Sequence, residues 1–74
     1  MSHAQTKLER VTINLIPQAS VALADGMEMT GHSKTDFINR AIQAYSYFEE
    51  LTSNGGKVLV REPGDDELAV IKFL

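Results

Sequence analysis

The spacing of apolar residues changes twice along this chain, and each change marks a change of backbone. In RVTINL, Arg10 to Leu15, the period is two: Val11, Ile13 and Leu15 share one face of a strand, and Arg10, Thr12 and Asn14 share the other. From Pro17 the period becomes helical. Pro17 suits a first helical turn, where its missing N–H costs nothing. Ala19, Ala22, Leu23, Gly26 and Met27 make one small-residue stripe running to about Thr30, and Gly31 permits the turn that ends it. A second helix begins at SKTD, where Ser33 can cap the free amides and Asp36 completes a box-like start signal. Phe37, Ile38, Ala41, Ile42, Tyr45, Phe48 and Leu51 then recur at helical spacing, with Asn39, Arg40, Gln43, Ser46, Glu49, Glu50 and Ser53 on the wet side. NGG at 54–56 ends this helix. From Lys57 the period returns to two: KVLVRE and LAVIKFL flank PGDD, whose Pro63-Gly64 suits the centre of a type II turn.

The order strand, helix, helix, hairpin predicts an α+β chain. It divides into an arm over 1–8, a strand-helix-helix unit over 9–54 and a C-terminal β-hairpin over 57–74. The first strand has no neighbour in sequence, yet its backbone groups need partners. Two pairings satisfy them. In one, the strand joins the hairpin of its own chain as a three-stranded sheet. In the other, it pairs antiparallel with the same strand of a second copy, burying Val11, Ile13 and Leu15 twice and presenting Arg10, Thr12 and Asn14 outward. The outward residues favour the second pairing. Asn bonds adenine twice, Arg bonds guanine twice, a Thr methyl meets the thymine methyl, and a two-stranded ribbon fits the major groove.

Composition sharpens this picture. A chain of 74 residues has little interior and gains most from a staple or a partner, and it has no cysteine for a disulfide or thiolate metal site. Oligomerisation is the expected source of stability. No apolar run approaches the roughly 20 residues of a membrane span, and MSHAQTKLER is polar, so a cytoplasmic protein is expected. The net charge of −3 gives no global attraction to nucleic acid. The acidity is local, however: residues 1–45 carry four basic and four acidic side chains, and residues 46–74 carry three and six.

With RVTINL as ribbon, ALADGMEMTGHSKTDFINRAIQAY as two helices and GHSKTDFINRAI at their junction, residues 9 to 52 resemble the ribbon-helix-helix family of dimeric bacterial, phage and plasmid repressors. The resemblance implies an intertwined homodimer that represses transcription. Its ribbon would read bases through Arg10, Thr12 and Asn14, and the start of its second helix would hold phosphate through Ser33, Lys34 and Thr35, with Lys7 nearby. Val11, Ile13, Leu15, Phe37, Ile38, Ala41, Ile42 and Tyr45 would form the dimer core. Independently of the resemblance, free amides and the helix dipole make a helix N-terminus attractive to anions. The acidic balance implies modest, salt-sensitive binding unless dimers cooperate.

Other readings stand beside this one. Arg10, Thr12 and Asn14 also fit the solvated side of any amphipathic strand. An antitoxin or other protein-binding dimer, with secondary or no DNA binding, is the competing function; an ordered apolar hairpin in place of a polar tail argues against it. Met27 and Met29 are expected to pack, and His3 and His32 to be solvated. Asp65, Asp66 and Glu67 cluster in a turn without the spacing of a calcium loop, so no metal is expected. No nucleophile, base and acid fall together and no glycine loop cradles phosphate, so neither catalysis nor a cofactor is expected. The hairpin carries too many apolar residues to stand free. Its cover is either the end of the second helix near Phe48 and Leu51 or the hairpin of a neighbouring dimer, the latter being the expectation.

Overall fold

The computed structural model describes residues 8–71, so Lys7, His3 and the last three residues of the hairpin lie outside it. Two helices, α1 (Pro17–Thr30) and α2 (Lys34–Ser53), are followed by strands β1 (Leu59–Val60) and β2 (Ala69–Val70). Local chemistry sets each helix boundary. Ile16 is extended, as the residue before a proline should be, and its carbonyl accepts the first helical bond from Ser20 N–H at 3.0 Å. Gly31 ends α1 at φ 74°, its N–H donating to the Met27 carbonyl at 2.8 Å. Ser33 Oγ accepts from the Asp36 amide at 3.1 Å, so the predicted cap forms. At the far end Gly55 N–H donates to Thr52 O and Gly56 N–H to Leu51 O, both orphan carbonyls being closed by a left-handed Gly55 at φ 87°.

The helices cross at Gly26, the one fully buried residue among those described. A Cβ there would run into the Phe37 ring, so glycine at this point sets how closely α1 and α2 approach. Ala19, Leu23 and Met27 from α1 and Phe37 and Ile38 from α2 are half-buried around it. Met27 is half-buried, whereas Met29, also expected to pack, faces solvent.

The sheet has two strands, paired antiparallel with Leu59 opposite Val70 and Val60 opposite Ala69. That removes the three-stranded intrachain sheet from consideration: residues 8–16 form no ladder with the hairpin or with any other described residue. The hairpin ladder is shorter than the alternation suggests. Asp65 N–H closes a turn onto the Glu62 carbonyl at 3.0 Å and Gly64 has φ 90°, as the type II turn requires. The chain then runs on through Asp66 and Glu67 before pairing resumes, so the hydrogen-bonded ladder is confined to the open end, where Ile71 N–H also reaches Val58 O at 2.9 Å.

No hydrophobic side chain among the described residues is buried. No helix among the described residues is long and apolar enough to cross a membrane.

Candidate nucleic-acid interface

The segment over 9–15 lies against the helices through alternate residues. Ile13 and Leu15 line an open groove of about 300 Å³ with Ala19, Ala22 and Leu23 of α1 and Phe37, Ile38, Ala41 and Ile42 of α2. Every residue lining this groove is apolar. Val11, with Glu9, lines an adjacent groove with Thr35, Ile38, Asn39 and Ile42. A third groove joins Val11, Thr12, Ile13 and Leu15 to Leu23, Lys34 and Ile38. Arg10 and Asn14 line none of the three, and both are exposed. The odd positions therefore all line grooves against the helices and two of the three even positions line none, which agrees with the parity the alternation predicts.

Of the expected core residues, only Phe37 and Ile38 are half-buried in the single chain; Val11, Ile13, Leu15, Ala41, Ile42 and Tyr45 are exposed. Together they make a continuous apolar surface from the N-terminal segment onto one side of α2. Tyr45 carries a further polar tie: its hydroxyl donates to Glu49 Oε2 at 2.6 Å. That bond, and then the Glu49 charge, raise the Tyr45 pKa above the ordinary tyrosine value, because both favour the protonated phenol.

The start of α2 supplies the anion-binding chemistry. Ser33 Oγ takes the Asp36 amide and the Ser33 carbonyl takes the Phe37 amide, leaving the N–H groups of Lys34 and Thr35 without an acceptor among the described residues. Ser33 is engaged as an acceptor, so its contribution to an anion is its own O–H. Thr12 and Lys34 share the third groove, so a base-reading candidate and a phosphate-holding candidate are brought together. The surrounding charges are mixed. Asp36 sits in the first turn and pairs with Arg40 at 3.6 Å, both side chains exposed, which takes Arg40 away from phosphate; Glu9 borders the neighbouring groove.

Two residues escaped sequence reasoning. Asn39 lines the groove beside Glu9 and donates to the Thr35 carbonyl at 2.8 Å, which bends its amide back along α2. His32, expected to be solvated, is half-buried in the interhelical turn with its Nδ1 shielded and unpartnered. The turn is only three residues long, from Gly31 to Ser33, and His32 N–H is held by Thr30 Oγ1 at 3.2 Å, so the ring is drawn in with the backbone. Periodicity carries no signal for a turn residue of this kind. No protein-family model matches the chain, and no curated protein or solved structure matches it either.

Proposed function

We propose that this chain acts as a homodimer that binds duplex DNA in a sequence-specific way and represses transcription. Two copies of the segment over 10–15 pair antiparallel as a ribbon, with Val11, Ile13 and Leu15 turned onto the helices and Arg10, Thr12 and Asn14 turned into the major groove. The observation that carries this reading is the parity of the N-terminal segment: Ile13 and Leu15 share an exposed, wholly apolar groove with both helices, Val11 lines the two grooves beside it, and Arg10 and Asn14 line none of the three. A second copy of the same surface is the natural cover for such a groove.

The Lys34 and Thr35 amides at the start of α2 then meet backbone phosphate on either side of the groove, giving position without sequence information. With Asp36 and Glu9 close by, phosphate attraction is modest, and affinity falls steeply with salt. Selection from a pool of random duplex DNA tests the proposal. The expected result is enrichment of a short palindromic or tandem motif, with Arg10→Ala or Asn14→Ala relaxing preference at particular positions and Lys34→Ala weakening all sequences alike. Recovery of no motif, or unchanged preference in both ribbon variants, would sink it.

A further inference from the structure

We infer that the C-terminal hairpin is a second self-association surface, occupied by the hairpin of another copy of this chain packed antiparallel about a two-fold axis. Burial alternates along its first strand: Lys57, Leu59 and Arg61 are exposed, Val58 and Val60 half-buried. The register sets Val70 opposite Leu59, so Leu59, Val70 and, by alternation, Leu68 form one apolar face, 50, 42 and 53% exposed. Apolar residues on both faces are the mark of a strand covered on both sides. A two-stranded ribbon alone is marginal in water. Leu59, Leu68 and Val70 stay exposed, so the described residues of its own chain leave this face uncovered.

Charge selects the occupant. The tip carries Glu62, Asp65, Asp66 and Glu67 against a single Arg61, whereas the open end starts at Lys57. An acidic tip repels phosphate, which disfavours both nucleic acid and an anionic bilayer. The two ends of the hairpin have opposite sign, so an antiparallel partner sets each acidic tip beside the other copy's Lys57, and the two-fold axis makes that contact twice. Parallel docking would set acid on acid. The association stands on the hairpin alone; its consequence, that two DNA-binding dimers are held side by side, rests on the function proposed above.

Sedimentation velocity on the full chain over a concentration series tests this, with Leu59→Ser, Leu68→Ser, Lys57→Glu and Asp66→Lys, the last two also combined. The exposed position of each residue leaves the fold of the chain intact, which far-UV circular dichroism checks. Wild type should associate in a step that Leu59→Ser and Leu68→Ser each weaken about ten- to a hundredfold. Lys57→Glu and Asp66→Lys should each weaken the same step at low salt, and the combination should restore it. Absence of any association that depends on Leu59 or Leu68 overturns the inference; failure of the charge swap overturns the antiparallel arrangement. A dimer that Leu59→Ser dissociates and Ile13→Ala leaves intact would uphold the hairpin surface and refute the ribbon.

Discussion

Ile13→Ala tests the proposed ribbon at a single side chain. In the chain alone Val11, Ile13 and Leu15 are 65, 61 and 41% exposed. Burying a whole aliphatic side chain contributes roughly 1.5–3 kcal/mol, so covering what these three expose contributes about 2.5–5 kcal/mol per chain and about 5–10 kcal/mol per dimer. A micromolar dimer requires a net of about 8 kcal/mol after association costs of at least about 4 kcal/mol are met. The strand face therefore supplies much of the affinity but not all of it, and the exposed Ala41 and Ile42 on α2 must add to it. Truncating a buried Ile to Ala costs about 2–5 kcal/mol. Scaled by the 61% of Ile13 left to cover, this is about 1–3 kcal/mol per copy and about 2–6 kcal/mol per dimer. The dimer Kd should then rise by between about thirtyfold and about ten-thousandfold. Thr12→Ala, one residue away on the opposite parity, should leave it unchanged. Sedimentation equilibrium measures both, supported by melts over a concentration series, in which Tm should climb with wild-type concentration. Equal effects of Ile13→Ala and Thr12→Ala, or a Tm indifferent to concentration, would refute the reasoning.

Three further outcomes are expected. Tyr45, whose folded pKa is raised by Glu49, should ionise above the ordinary tyrosine value in an absorbance titration, and Glu49→Gln should bring it back down. The sign follows from the raised value: stabilisation from this pair is whole below the unfolded tyrosine pKa of about 10 and is lost as pH rises through the folded value. Gly26→Ala should destabilise by about 1–2 kcal/mol in urea titrations, overpacking against Phe37 outweighing the helix-propensity gain, and the loss should shrink in a Phe37→Leu background. Ser33→Ala should cost about 1 kcal/mol through the orphaned Asp36 amide, whether or not DNA is present.

What was legible in the sequence was whatever rests on neighbours within a few residues. The start of α1 follows from Pro17, the start of α2 from Ser33, the end of α2 from the two glycines after Asn54, and the hairpin turn from Pro63-Gly64. Each is a hydrogen bond or dihedral preference that needs nothing distant. The length of β1 and β2 was not legible, because alternation reports which side chains can share a face, while a ladder also needs both strands to leave the turn in register. Asp66 and Glu67 widen the tip and delay that register. Of the site, parity was readable and partner was not: Val11, Ile13 and Leu15 could be assigned to one face, but no described residue covers them. The free amides of Lys34 and Thr35 followed from the capping signal, and the ion pair of Asp36 with Arg40 from their spacing of four on one helix.

A chain in which no hydrophobic side chain among the described residues is fully buried has little to retreat to when it is alone. On the proposed dimer its effective activity would vary with roughly the square of its abundance at low copy number, since each working unit would need two chains to meet before either is protected. Halving the number of chains at cell division would cut the pool of assembled units more than twofold, and the strays, open to proteases, would be cleared before the rest. The proposed dimer would thereby give its host a threshold without any second gene product: silent below a certain dosage, persistent above it.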